Sequence, residues 1–180
     1  MFAIVQNNTI VQLVREGMAF TFNGIDYPFT WCNTSTPQEK AAIGMVDVIY
    51  GPRPADRYYW VVENTPTISG DQVVGTFTAT PKDLDQTKAD CKAQINNTAY
   101  VTLLPNDWMV VKSVETSTPV PTDWATWRQS VRTAAAGYVT SIMAATDMPA
   151  LEAVMAAVTW PNNPDYVAPI DVASPESAQP

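Results

Sequence analysis

Glycine is distributed unevenly along the chain, and this asymmetry constrains the fold more than any other feature of the sequence. Six of the seven glycines lie within the first 75 residues, and only Gly137 comes later, whereas the alanine-rich runs follow residue 120. Glycine marks tight turns, and alanine is the strongest helix former. The predicted fold class is therefore α+β: a small N-terminal β-rich module of hairpins plus one short helix, followed by a C-terminal helical hairpin region.

Two short hairpins and one helix are predicted in the first 50 residues. The pairs Asn7-Asn8 and Asn23-Gly24 each separate two runs rich in β-branched or aromatic residues, as in tight hairpin turns. The segment Thr36-Pro37-Gln38-Glu39 supplies an N-cap, a proline at the first helical position and a glutamate at the third. It predicts a helix over 37–43, which Gly44 ends, and a strand over 46–50 follows.

Residues 58–80 predict one long hairpin that completes a module over 1–80. Its strands would cover 58–62 and 73–80, joined across Ser69-Gly70-Asp71. The run Tyr58-Tyr59-Trp60 could present an aromatic platform for a sugar or another ligand. Because alternate residues of a strand point to opposite faces, a place in the core is the favoured interpretation of this run.

Three helices are predicted in a helical region over 81–160, at about 81–104, 122–145 and 149–159. The first would be capped by Thr80 and stopped by Pro105-Asn106-Asp107, with 108–111 continuing as a short apolar segment. The second has apolar residues at a spacing of three and four, which predicts a helix hairpin or coiled coil. Residues 161–180 contain five prolines and are expected to form an irregular acidic tail.

Composition excludes several functions. The chain has no histidine, so a Ser-His-Asp triad, a His-ligated zinc ion and a histidine general base are ruled out. Ten basic residues against 18 acidic ones give a net charge of −8, which opposes binding to nucleic acid phosphates. Neither a signal peptide nor a membrane-spanning stretch is recognised, so no membrane association is expected. No metal site and no cofactor are predicted.

Acidic residues near the start of the first long helix are the remaining catalytic candidates. Asp83, Asp85 and Asp90 could supply a carboxylate pair, but acids at this position usually complement the helix dipole. A carboxylate enzyme acting on polysaccharide therefore ranks third among the hypotheses, and no catalytic residue is predicted. The chain is expected not to be an enzyme.

Several short motifs resemble those of bacteriophage tail-fibre (tail) assembly chaperones. Proteins of that family often carry a helix leading to a D-W segment, then D-W-x-x-aromatic-R-x-x-hydrophobic-R, and then a terminal W-P. The corresponding segments here are Leu104-Pro105-Asn106-Asp107-Trp108, the run 121–132 that begins Pro121-Thr122-Asp123-Trp124, and Trp160-Pro161. The N-terminal hairpin and the capped helix after Thr36 also look like the start of that family. Trp127 stands where tyrosine is commoner in the family.

The resemblance implies a non-enzymatic protein that binds tail-fibre or tail subunits and helps them to assemble. It places the protein in the host cytoplasm during assembly and, for some members, on the virion tail, where an oligomer is a further expectation. The motifs, together with the aromatic residues on one face of the predicted helix over 122–145, suggest a set of partner-binding residues: Trp108, Trp124, Trp127, Arg128, Arg132 and Tyr138. The sequence leaves open whether the tryptophans are core or interface, and whether the arginines anchor the helices to Asp107 or Asp123 or reach a client.

The alternative hypothesis is a permanent structural component of the virion, such as a baseplate or fibre-linking subunit. The partner would then be a baseplate or tail protein with which the chain remains associated. Stable presence in purified particles separates this hypothesis from a transient chaperone.

Overall fold

The structure, a computed structural model, describes residues 1–165 as two compact units, Met1–Lys82 and a second unit that begins at Asp83. Strands dominate the first unit and helices form the second, so the predicted α+β class is confirmed. Of the predicted tail over 161–180, residues 161–165 are included, and 166–180 lie outside the described residues.

Residues 1–82 form nine strands and two short helices. The strands are β1 (Phe2–Gln6), β2 (Thr9–Val14), β3 (Phe20–Phe22), β4 (Ile25–Tyr27), β5 (Met45–Tyr50), β6 (Tyr59–Glu63), β7 (Thr67–Ser69), β8 (Gln72–Gly75) and β9 (Phe77–Pro81). The helices are α1 (Trp31–Thr34) and α2 (Pro37–Ala42). Five strands form one sheet in the order β2-β1-β5-β8-β7, in which only β5 and β8 run parallel.

The five-stranded sheet is curled, so that its two edge strands approach each other. Some Cα atoms of β2 lie within 8 Å of Cα atoms of β7, although the two strands are not paired. A β-bulge interrupts the β1–β2 register between Ile4 and Val5, and bulges increase the local twist of a sheet. The bulge also places Ile10 and Val14 in different core clusters, although plain alternation would put both on one face.

The two faces of this sheet carry separate apolar cores. One cluster contains Ala3, Val48 and Val73, packed against partly buried side chains that include Tyr50. The other is larger and lies beneath the β3–β4 hairpin and α1; its buried members are Phe2, Ile4, Val14, Phe22, Cys32 and Met45.

The turn and cap signals of the first 50 residues form as predicted. Asn7, Asn8, Asn23 and Gly24 all have positive φ, as type I′ hairpin turns require. Thr36 and Glu39 form the reciprocal capping box, and the helix over 37–42 matches the predicted 37–43.

The prediction of a single short helix was wrong, because α1 also forms at Trp31–Thr34. No side-chain hydrogen bond caps the N-terminus of this helix. The ring of Trp31 instead packs edge-on against Tyr27 at 4.8 Å and Phe20 at 5.8 Å between centroids. Helix α1 thus packs on aromatic side chains of the β3–β4 hairpin, a contact that its local sequence does not predict.

The predicted long hairpin over 58–80 is divided into two parts that belong to different sheets. Its inner part, β7–β8, joins the five-stranded sheet, whereas its outer part, β6–β9, forms a separate two-stranded ribbon. The break falls at Gly75, where an added Cβ would lie 2.1 Å from Cε1 of Tyr50. The Tyr50 ring also packs against Phe77, 5.4 Å away between centroids, and its hydroxyl donates to Glu63 Oε1. Tyr50 thus occupies the corner where the hairpin bends.

The second unit consists of helices α3 (Leu84–Leu103), α4 (Asp107–Thr116), α5 (Thr122–Ala144) and α6 (Met148–Ala156), with a 3₁₀ turn at Leu104–Asn106. The predicted helices over 122–145 and 149–159 correspond to α5 and α6. The predicted start at 81 was wrong, because Pro81 ends β9 and the Asp83 side chain accepts from Gln86 N–H as the N-cap. Helix α4 was not predicted; the sequence suggested only a short apolar segment there.

Helices α3 and α5 pack as an antiparallel pair, which confirms the predicted helical hairpin, with α4 lying in the connection. Lys88 Nζ donates to the Met143 carbonyl at 3.3 Å, and Arg128 Nη1 donates to the Leu103 carbonyl at 3.1 Å. Each bond joins the start of one helix to the end of the other. Both cations are at least nine-tenths buried, so these two bonds lie inside the pair rather than on its surface.

We expect Gly75→Ala to destabilise the first unit by about 1–3 kcal/mol, because the new methyl group would overlap the Tyr50 ring. Gly51→Ala is the matched control, since nothing lies within 4 Å of a Cβ at that position. Urea unfolding monitored by fluorescence measures both. Equal stability of the two variants would show that the Tyr50 corner tolerates the added atom.

We expect the Tyr50 hydroxyl to ionise at a higher pH than that of an ordinary tyrosine. Burial, followed by its hydrogen bond to Glu63 and the charge of that residue, raises the pKa of Tyr50 to about 12. Because the folded-state pKa lies above the unfolded value near 10, the stability that this group contributes is lost as pH rises from about 10 to 12. We expect Glu63→Gln to lower the pKa of Tyr50 in an ultraviolet phenolate titration, with Tyr50→Phe identifying the signal. An unchanged pKa in Glu63→Gln would contradict the assigned contribution of Glu63.

Candidate partner-binding surface

Helix α4 buries none of its ten residues, although half of them are large and apolar. The exposed apolar side chains of α4 and of the chain just before it form what we call the α4 surface: Tyr100, Val101, Leu104, Trp108, Val110, Val111 and Val114. Val114 is 79% exposed and Trp108 56%. Exposed apolar side chains that lie together commonly mark sites of interaction.

A buried arginine connects α4 to the α3–α5 pair. Arg128, 4% exposed, donates from Nη1 to the Leu103 carbonyl at the end of α3 and from Nη2 to Asp107 Oδ1 at the start of α4. Pro105 lies between these two acceptors, where the chain passes through the 3₁₀ turn. The guanidinium therefore spans the break between the two helices and fixes the point from which α4 departs.

A small hollow lies beside Trp108, between α4 and the segment that leads into α5. Its volume is about 150 Å³, and it is lined by Trp108, Met109, Lys112 and Thr118–Pro121. The prolines hold the segment before α5 extended, because proline fixes φ and disfavours helix in the residue before it. Drug-sized ligands need pockets of about 300 Å³ or more, so this hollow is suited to a single apolar side chain of a partner.

The remaining predicted partner-binding residues differ in exposure. Trp127 is buried, and its Nε1–H donates to the Pro161 carbonyl at 3.0 Å. Trp124 is half-buried and packs edge-on against Trp127. Arg132 is exposed on α5. Partner binding by any of them stays a prediction.

Tyr138 is half-buried and fixes the chain beyond α6. Its hydroxyl donates to the Thr159 carbonyl at 2.6 Å and accepts from the Thr159 N–H at 3.0 Å, and its ring meets Trp160 edge-on. The hydrogen bonds from Thr159, its side chain first and then its backbone, lower the pKa of Tyr138. Together with the bond from Trp127 to Pro161, these contacts bring the Trp160-Pro161 motif against α5.

The apolar residues of α4 that the sequence reasoning missed are Val110, Val111 and Val114. Their signal was present as an apolar run between Pro105 and Pro119. Without a predicted helix, however, nothing indicated that the run would be exposed rather than packed.

Other candidate chemistry is sparse in the part of the chain that is described. Asp83 caps α3, Asp85 lies in its first turn, and Asp90 accepts from the side-chain amide of Gln86. Residues 1–165 hold no group of three or more His, Cys, Asp or Glu side chains arranged to bind a metal ion. Within the same range, no helix has both the length and the apolar character that a membrane crossing requires.

Comparison with known proteins finds no matching family model, no matching curated protein and no matching solved structure.

We expect Asp107→Asn to destabilise the second unit by about 1–2 kcal/mol, because the buried guanidinium of Arg128 loses its charged acceptor. The estimate is modest because the Asp107 side chain is half exposed and water can partly replace it. Glu115→Gln, which removes an exposed charge from the same helix, is the control and should leave stability within about 0.5 kcal/mol. Urea unfolding of the two variants provides the measurement; a larger loss in Glu115→Gln would reject the assigned role of Asp107.

Proposed function

We propose that this protein is a non-enzymatic assembly chaperone that binds bacteriophage tail-fibre or tail subunits through the α4 surface. The observation that carries the proposal is a ten-residue helix that buries no side chain while exposing Trp108, Val110, Val111 and Val114. An isolated helix of this length is marginal in water, and apolar side chains on it gain little stability until another surface covers them. A partner that supplies this cover would stabilise α4 as it binds.

The size of the hollow indicates how a client would be held. One apolar side chain of the client would enter between Trp108 and the prolines before α5. Helical spacing puts Val110 and Val114 on the other side of α4, where a separate part of the client would cover them. Protein interfaces obtain most of their binding energy from a few buried anchor residues. Arg128 would act indirectly, by holding α4 at the end of α3, rather than by touching the client.

The charge of the chain is compatible with such a role. A net charge of −8 keeps a protein soluble while an apolar surface is exposed. The motifs around Asp107, Trp127 and Trp160 resemble those of tail-fibre assembly chaperones, and this resemblance supplies the identity of the client class. No cofactor is proposed, and the protein would act in the host cytoplasm during assembly.

Co-expression with the neighbouring fibre gene product tests the proposal. Size-exclusion chromatography with mass determination of every peak should give a defined complex, or a soluble fibre oligomer obtained only when this protein is present. If the fibre folds equally well alone and no complex forms, the chaperone proposal fails. A complex that persists at fixed stoichiometry in purified particles would favour the alternative, a permanent virion component.

We expect Val114→Asp to weaken the complex about tenfold or more, because it places a carboxylate at the most exposed apolar position of α4, which the client must desolvate. Ala136→Asp is the matched control: it adds the same side chain at an exposed position on α5, outside the α4 surface. Titration of labelled fibre subunit with each variant measures the effect. Equal weakening by both variants would place the client elsewhere on the chain.

A further inference from the structure

The β6–β9 ribbon of the first unit stands apart from the five-stranded sheet. Each of its strands has only one paired neighbour within residues 1–165, so each has an outer edge. Two-stranded ribbons are marginally stable in water unless a further strand or a packed face supports them. The Tyr59 N–H already donates to the Ala55 carbonyl at 3.1 Å, so the part of the β6 edge that could gain a strand is centred on Val61.

The register of the ribbon determines which backbone groups face outward. Lys82 N–H donates to the Tyr58 carbonyl, and Asn64 N–H donates to the Thr76 carbonyl, each at 2.9 Å. Hydrogen-bonded pairs alternate along an antiparallel ladder, so the even-numbered residues of this strand face β9. Val61, at the middle of β6, therefore directs both its N–H and its carbonyl away from β9.

The side chains next to this edge are apolar and accessible. Trp60 is 66% exposed and Val62 is 62% exposed, and both lie on the same face of the ribbon. Natural edge strands are usually protected by lysine, proline or a bulge, and β6 contains none of these. The outer edge of β9, by contrast, ends in Pro81, which has no N–H to offer.

We propose that the outer edge of β6 is a self-association surface, to which β6 of a second copy of this chain adds as an antiparallel strand. A two-fold axis at Val61 lets this residue exchange both backbone hydrogen bonds with Val61 of the second copy. The same register places Trp60 opposite Val62 of the second copy, and this aromatic and β-branched pair occurs twice.

Charge and symmetry are compatible with this pairing. The strand is Tyr-Trp-Val-Val-Glu, and its one charged residue, Glu63, lies at the end. Across the two-fold axis the two Glu63 side chains are about 13 Å apart, so salt screens their repulsion. An interface limited to one strand edge buries less than the roughly 800 Å² per partner of a stable complex, so the dimer is weak and depends on concentration.

Sedimentation velocity from about 10 µM to about 1 mM tests the proposal on the full chain. The wild type should shift from monomer to dimer over this range. Val61→Pro removes an N–H that faces outward, so it should leave the β6–β9 ladder intact and weaken the dimer at least tenfold. Ala79→Pro is the matched control: it makes the same change on the outer edge of β9 and should alter the dimer less than twofold.

Amide hydrogen exchange on the wild type provides a measurement that needs no variant. Exchange of the Val61 amide should slow as protein concentration rises, whereas exchange of the Ala79 amide should not change. A wild type that stays monomeric throughout, a dimer that survives Val61→Pro, or equal losses in both variants would each overturn the proposal. None of these outcomes bears on client binding by the α4 surface, which belongs to the other unit.

Discussion

The arrangement of the second unit depends on the buried guanidinium of Arg128. A charge that is 4% exposed must be satisfied by hydrogen bonds, and Arg128 finds its acceptors at the end of α3 and the start of α4. These two acceptors bracket Pro105, so the same side chain closes the α3–α5 pair and sets the departure of α4. Lys88 makes the corresponding bond to a carbonyl at the opposite end of the pair. The two cations therefore bond across the pair near both of its ends.

In the first unit, Tyr50 has a comparable role at the bend of the hairpin over 59–81. Its ring fills the space that a side chain at position 75 would need, and its hydroxyl reaches Glu63 on the strand that leaves the sheet. The chain can therefore pass from the curled sheet into a separate ribbon at Gly75. The division of one hairpin between two sheets leaves β9 with an outer edge, because β8 pairs with β5 and β9 does not. Strand β6 has an outer edge in either arrangement, since β7 is itself an edge strand.

The two proposed surfaces have different physical characters because they belong to different kinds of secondary structure. Helix α4 satisfies its own backbone hydrogen bonds, so what it offers a partner is apolar area and a hollow for one side chain. The edge of β6 offers the outward backbone groups of Val61, which suit the addition of another strand. A client bound to helix α4 and a second copy bound to strand β6 would therefore use different groups of the protein.

The sequence by itself determined those elements whose signals are local. Asn23-Gly24, the Thr36–Glu39 capping box and the long apolar stripe of α5 act within a few residues, so the turn, the short helix and the helix over 122–144 form as predicted. Helix α3 begins later in the chain than predicted, because Pro81 is the last residue of β9. That strand pairs with β6, about 20 residues earlier in the chain.

Tertiary structure alone decided which aromatic residues are buried. Trp127 and Trp108 are both predicted partner-binding residues, yet the first is buried with its N–H bonded to the Pro161 carbonyl and the second is 56% exposed on α4. Helix periodicity shows that residues share a face but does not show whether another element covers that face. That outcome depends on contacts between residues far apart in the chain, such as Arg128 with Leu103 and Tyr138 with Thr159, which no local pattern encodes.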